Sequence, residues 1–202
     1  MVKKKKILVL GNGPSINDIE FDRLDKSIPT FGVNRIWLKY NPTWYFFHDY
    51  SILSELERDP INQSKLIANS ICFSSDWINR DNRSTPHWLR KYPRRNRRLF
   101  PDSVTTGLGL LDTNILPGKT SDYIFYLAGI DLKWSDTSHF WKKMDHNALN
   151  CANKAWYDAR FKKMFQNFRD MKSHGYNMIS VTPDSMLNKL MRFENISNLY
   201  KK

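Results

Sequence analysis

The chain has 202 residues, with 32 Lys and Arg against 20 Asp and Glu and a formal net charge of +12. A hydrophobic share of 41% excludes a disordered chain, and the length suffices for one well-buried domain. Two cysteines, Cys72 and Cys151, exclude a disulfide framework and have no metal-ligand spacing; no apolar run approaches the roughly 20 residues of a membrane span.

Lys3 to Lys6 precede an apolar run of only Ile7 to Leu10, with no small-residue cleavage site, so the chain reads as cytoplasmic. Ile7-Leu8-Val9-Leu10 is apolar on both faces, the pattern of a buried parallel strand. Gly11-Asn12-Gly13-Pro14-Ser15 is a turn, after which Ser15 or Asn17 is expected to cap a short helix. Thr30–Val33 and Trp44–Phe47 read as strands, and 51–58 as a helix. A further strand is expected within Lys65 to Phe73.

Residues 74–104 are rich in Ser, Asn, Arg and Pro and read as an excursion or lid. Within them Arg90-Lys91-Tyr92-Pro93-Arg94-Arg95-Asn96-Arg97-Arg98 follows Trp88 and precedes Phe100. Arginine forks grip phosphates, and aromatic rings stack on bases, so this block reads either as a polyanion contact or as a solvated basic loop. Thr106–Leu116 is expected to be helical, with Gly107 and Gly109 permitting close packing. Tyr123–Ala128 is a strong strand ending at Gly129-Ile130-Asp131. A second irregular stretch, 133–148, leads into a long helix over about 149–174. Its apolar face comprises Ala152, Ala155, Trp156, Ala159, Phe161, Met164, Phe165 and Phe168, and Gly175 suits its C-cap. Met178–Val181 reads as a last strand stopped by Pro183, with Ser185 starting a final helix.

Strands alternating with helices imply an α/β fold: one mostly parallel sheet with helices on both faces, in a single domain spanning 1–202. Ligands of such sheets sit at the carboxyl ends of the strands. Four polar clusters fall there: Gly11 to Ser15, Asn34-Arg35, His48-Asp49 and Gly129 to Asp131. The glycine turn is neither G-x-G-x-x-G, because Ile16 occupies the third glycine position, nor a P-loop; it reads as a nucleotide contact or an ordinary tight turn. Free N–H groups at the helix start would attract phosphate.

These segments in order resemble the bacterial sialyltransferases of glycosyltransferase family 42. The likeness runs through Gly11-Asn12-Gly13-Pro14-Ser15, Val33-Asn34-Arg35, Phe47-His48-Asp49, Thr105-Thr106-Gly107, Leu127 to Asp131 and Val181 to Leu187. The same set resembles related phage-encoded proteins and, more distantly, a family that includes archaeal hydroxymethylpterin diphosphokinases. The resemblance implies a Rossmann-like, GT-A-like domain with a lid. It further implies a metal-independent transferase with a nucleotide-sugar donor as substrate and no cofactor. The absence of an Asp-x-Asp pattern agrees.

On that resemblance Gly11, Asn12, Gly13 and Ser15 would meet the donor nucleotide and phosphate, and Asn34 and Arg35 the nucleotide or sugar. Thr105, Thr106 and Gly107 would lie near the sugar or phosphate, with Gly129 and Asp131 beside the nucleotide. Asp49 stands where the family has asparagine, and Lys133-Trp134 stand where it has tyrosines that assist the leaving phosphate. Lys133 would supply a point charge for that task. The catalytic base would be a lid histidine, either His139 or His146; the aromatic surround of His139 favours it.

The charge and the block of Trp88, Arg90, Arg94, Arg95, Arg97 and Arg98 make DNA an expected acceptor, as a hydroxylated base. Alternatives are transfer to a surface oligosaccharide, an ATP-dependent diphosphokinase of the pterin type, and a non-enzymatic DNA-binding protein.

Overall fold

A computed structural model describes residues 4–75, 86–92, 102–132 and 154–201. Within them seven strands form one sheet, every pairing parallel. The strands are β1 (Lys5–Leu10), β2 (Thr30–Val33), β3 (Trp44–Phe46), β4 (Ile71–Ser75), β5 (Arg90–Tyr92), β6 (Tyr123–Ala128) and β7 (Met178–Ser180). Their spatial order is β5-β4-β3-β2-β1-β6-β7. The chain thus winds outward from β1 in one direction through β5, then returns to place β6 on the other side of β1. The order reverses between β1 and β6, and an open parallel sheet has its ligand crevice outside such a reversal.

Strand alternation divides the core in two. Leu8 and Leu10 of β1, with Tyr45, Phe47 and Cys72, pack with α1 (Tyr50–Glu57) and α2 (Pro60–Asn69). Ile7 and Val9, with Phe31, Phe46, Phe73 and Phe125, pack with α3 (Ser103–Asn114) and α4 (Lys154–Ser173). The expected α/β architecture, with a parallel sheet and helices on both faces, is the one observed. Among the described residues no helix is long and apolar enough to cross a membrane. Burial pushes the Cys72 thiol up to about 12, so it stays protonated at neutral pH.

Several local expectations need correction. The strand expected within residues 65–73 begins only at Ile71, because Pro60–Asn69 is helical. Asp59 caps that helix by accepting the Asn62 amide at 3.2 Å, and Pro60 fits its first turn. Residues 74–104 include the end of β4, all of β5 and the start of α3. α3 starts at Ser103 rather than Thr106, because Asp102 caps it. Neither Ser15 nor Asn17 caps the helix after the glycine turn; that helix is a five-residue 3-10 segment, Pro14–Asp18, with Gly13 at its cap position. The helix expected after Ser185 is 3-10 as well, Met186–Lys189, and Ser185 does cap it, but a further 3-10 segment, Ile196–Leu199, follows. Ala159 of α4 is exposed, whereas Asn167 and Met171 join its buried face. Gly175 ends α4 with a φ of 89°, as the cap requires.

The two glycines of α3 differ in role. A Cβ on Gly107 would lie 2.6 Å from Phe46 Cδ1 and 2.7 Å from Phe31 Cζ, whereas one on Gly109 meets nothing within 4 Å. Gly107→Ala is therefore expected to destabilise by about 1–3 kcal/mol through overpacking. Gly109→Ala is expected to stabilise by about 0.5–1 kcal/mol, because helical glycine costs backbone entropy. Denaturant titration of the two variants checks this pair.

Candidate functional site

Each strand of the central sheet ends in polar chemistry at one rim. β1 delivers Asn12 and Ser15, β2 delivers Asn34, β3 delivers His48 and Asp49, and β6 delivers Asp131. α3 runs back from this rim, so its first turn, with Thr105 and Thr106, starts there. Among the described residues, the non-glycine residues with left-handed backbone are Asn34 (φ 50°), Leu132 (φ 49°) and Asp184 (φ 56°). All three lie in loops that follow the carboxyl end of a strand. Strain of this kind persists where the surrounding structure enforces it.

Two amides of the glycine turn are held by β6 and the loop after it rather than left open. The Gly11 amide donates to Ala128 O at 2.8 Å and the Gly13 amide to Gly129 O at 2.7 Å. Pro14 contributes no N–H. The turn is instead built for close approach: a Cβ on Gly11 would lie 2.4 Å from Gly129 O, and one on Gly13 1.6 Å from Asp131 Oδ2. Gly13 thus admits the Asp131 carboxylate, which accepts the Ser15 hydroxyl at 3.1 Å. The β7 loop braces the same loop of β6, since Ser185 donates to Ile130 O at 2.6 Å. A pocket of about 80 Å³ adjoins this junction, between Ser15, Gly129, Thr182, Pro183, Phe193 and Ile196.

Asn12 spends both ends of its amide on the neighbouring loop. Its Nδ2 donates to Val33 O at 3.0 Å, and its Oδ1 accepts the Arg35 amide at 3.2 Å. The Arg35 guanidinium pairs with Glu55 of α1, one of its bonds being 2.6 Å long. Asn34 stands between these tethers. Among the described residues its Oδ1 is buried without a hydrogen-bond partner, as are Thr106 Oγ1, Trp37 Nε1 and Asn188 Oδ1. Buried polar atoms in native proteins are nearly always satisfied, so the two orphans at the strand-end rim mark places where a ligand's polar groups would fit.

Asp102 organises the α3 side of the rim. Its carboxylate accepts the Thr105 amide at 2.8 Å, the Thr105 hydroxyl, and Asn167 Nδ2 of α4 at 2.6 Å. Burial raises its pKa above the ordinary carboxylate value, against the lowering effect of those hydrogen bonds and of nearby His48. His48 is buried, packs edge-on to Phe46, and has Nε2 3.6 Å from Asp49 Oδ1. Asp49 itself is exposed.

Of the residues picked from sequence, the rim thus holds Gly11, Asn12, Gly13, Ser15, Asn34, Arg35, Asp49, Thr105, Thr106, Gly129 and Asp131. Gly107 faces the rings of Phe31 and Phe46. Trp88 is half-buried with its ring 6.5 Å from that of Phe47, while Arg90 is exposed on the edge strand β5. Lys133, His139, His146, Arg94, Arg95, Arg97 and Arg98 lie outside the described residues. Asp102, Asn167, Tyr45 and Ser185 support the rim and were not singled out for it; only Asp102 carried a readable signal, an Asp three residues ahead of Thr105 at a helix start. Among the described residues no group of three or more His, Cys, Asp and Glu is placed to hold a metal ion.

No protein-family model matches the chain, and neither does any curated protein. Solved structures do match. The α-2,3-sialyltransferase Cst-I from Campylobacter jejuni is 17% identical with a TM-score of 0.56, covering 98% of this chain and 82% of its own. CstII from C. jejuni, in complex with the substrate analogue CMP-3FNeuAc, is 15% identical with a TM-score of 0.55, covering 98% and 89%. The sialyltransferase CST-II in complex with a trisaccharide acceptor and CMP is 14% identical with a TM-score of 0.54, covering 98% and 88%. The fold is that of the group the sequence resembles.

Proposed function

We propose that this chain is a nucleotide-sugar-dependent glycosyltransferase that moves a sugar onto a hydroxyl of a saccharide acceptor. The observation that carries this reading is the pair of unsatisfied buried polar atoms, Asn34 Oδ1 and Thr106 Oγ1, at the strand-end rim of a fold shared with CstI and CstII. CstII was solved with CMP, a CMP-sugar analogue and a trisaccharide acceptor, which supports a nucleotide-sugar donor and a saccharide acceptor.

In this reading the acceptor oxygen forms a bond to the anomeric carbon as the bond from that carbon to the phosphate oxygen breaks. A histidine takes the acceptor proton, and the nucleotide leaves with the bonding pair. His139 and His146 are the candidates for that base, and Lys133 the candidate cation for the leaving phosphate. Asn34 and Thr106 bind and orient the donor, and Asp131, held by Ser15, shapes its seat. No divalent cation is required.

A thermal-shift screen of nucleotide-sugars followed by transfer assays tests the proposal, because a ligand selective for the folded state raises its melting temperature. At least one nucleotide-sugar is expected to stabilise the protein and to be consumed in the presence of a chelator. Asn34→Ala is expected to lower kcat/KM by about 10- to 100-fold, the effect of removing one well-placed polar contact. Activity that chelation abolishes, with ATP as the consumed nucleotide, would instead support the diphosphokinase reading.

A DNA acceptor is the second reading. Arg90 and Lys91 are exposed on β5, and the sequence beyond that strand's rim end continues into Arg94 to Arg98. Transfer to DNA carrying hydroxylated bases, with salt-sensitive binding, would favour it over oligosaccharide transfer.

A further inference from the structure

The loop carrying Asn34 is tethered from three directions. Asn12 holds the peptide groups on either side of it, through Val33 O and the Arg35 amide. Glu55 holds the Arg35 side chain. The third tether is Tyr45 of β3, whose hydroxyl donates to the carbonyl oxygen of Asn34 itself. Tyr45 is fully buried, with 0% of its surface exposed. Burial pushes its phenol well above the ordinary value, so it remains a hydrogen-bond donor throughout the physiological range.

A buried phenol in an otherwise apolar cluster, beside Phe47, Ile52 and Leu56, is a costly choice for packing alone. Phenylalanine would fill the same space. The hydroxyl reaches the one non-glycine residue of this loop with a left-handed backbone, at φ 50°. Asparagine tolerates that conformation better than other residues with a Cβ, and the tethers select it over the commoner right-handed and extended ones. The left-handed backbone is also what sets where the Asn34 side chain, with its unpartnered Oδ1, lies at the rim.

We propose that Tyr45 is a positioning residue: its hydroxyl holds Asn34 in the left-handed conformation that presents its amide to the donor nucleotide. The inference rests on the nucleotide-sugar reading for its ligand, and on the clamp geometry for its mechanism. The function of the hydroxyl is to pre-form the site, so that binding does not have to bear the cost of ordering Asn34. The ligand group it serves must supply an O–H or N–H, because Oδ1 only accepts. A ribose or sugar hydroxyl meets that requirement, and a fully ionised phosphate does not.

The test compares Tyr45→Phe with Tyr176→Phe. Tyr176 is half-buried and donates its hydroxyl to Asp112, at 2.9 Å, remote in sequence and structure from the Asn34 loop. Calorimetric titration with CMP is expected to show about tenfold weaker binding for Tyr45→Phe. Tyr176→Phe, although it loses stability, is expected to bind CMP as the parent does. A second readout needs no nucleotide. Amide hydrogen exchange at Asn34 and Arg35 is expected to accelerate in Tyr45→Phe by about tenfold while the rest of β2 and β3 stays protected. Unchanged exchange at these amides overturns the proposal. If the parent fails to bind CMP, the nucleotide reading fails, and the exchange measurement still decides the clamp. Equal loss of CMP affinity in both variants reduces Tyr45 to a contributor to general stability and also overturns it.

Discussion

Gly13→Val is expected to abolish the nucleotide-sugar turnover proposed above, lowering it by more than about 100-fold. The backbone at Gly13 has φ −70° and ψ 160°, a conformation any residue adopts, so the requirement for glycine is one of space. A Cβ there would lie 1.6 Å from Asp131 Oδ2, 2.7 Å from its Cγ and 2.8 Å from Gly129 O. The side chain and Asp131 cannot coexist. The carboxylate must leave, which breaks the Ser15–Asp131 bond, or the turn must move away from β6, which breaks the Gly13–Gly129 bond. Either displacement is of ångström scale at the strand reversal, where a misplacement of about 1 Å costs on the order of 100-fold in rate. The loss of stability is expected to stay near 1–3 kcal/mol, the usual range for overpacking. Steady-state kinetics beside calorimetric melting separates the two effects. A folded Gly13→Val protein that retains parental turnover would exclude this turn from the site.

Asp102→Ala carries the largest expected stability cost, about 3 kcal/mol. The cap of α3 contributes roughly 1 kcal/mol. The rest comes from polar groups left behind, since Asn167 Nδ2 and the Thr105 hydroxyl both point at the missing carboxylate and each orphan costs about 1–3 kcal/mol. Asn167 retains a longer contact to Thr105 Oγ1 at 3.4 Å, which limits the total. Titration behaviour gives an independent check. Burial holds the Asp102 pKa above its ordinary value of 3.8, so the folded state favours the neutral acid. The stability this contributes is fully present below the unfolded value and is lost as pH rises through the folded one. Measured against Asp102→Asn, which does not titrate, the parent is therefore expected to lose relative stability as pH rises from about 3.8 to the raised folded pKa, then to run parallel. A difference that grows with pH in that window would contradict the burial account.

Much of the sheet was legible because its strands are buried on both faces. Thr30–Val33 and Tyr123–Ala128 emerge with their observed boundaries, since continuous apolar runs between polar turns have few alternatives. α2 was less legible because its apolar stripe is thin: Leu66 is its buried residue, and Ile61 and Ile67 are exposed. The Asp59-Pro60 pair was its readable signal. The rim was legible as a set of strand ends, because parallel topology alone places them together. The bonds within it were not. Whether Asn12 faces a ligand or Val33, and whether Arg35 faces a phosphate or Glu55, depends on how segments 20 and 21 residues apart settle against one another. Tyr45 was hidden for the opposite reason, reading as one more aromatic in a core strand, with nothing in its spacing to mark the hydroxyl.

The adjacency of β1 and β6 has a consequence for biosynthesis. Ser15 and Asp131 are 116 residues apart in the chain, yet their bond sits at the heart of the rim. A nascent polypeptide emerging from the ribosome can lay down β1 to β5 and still lack the Ser15–Asp131 bond, because Tyr123–Ala128 must first slot beside Lys5–Leu10. Such long loop closures are slow to form. Under the nucleotide-sugar proposal, ligand capture is thereby deferred until the sheet is nearly complete, and a nucleotide would act as a lock on the finished fold rather than as a template for making it.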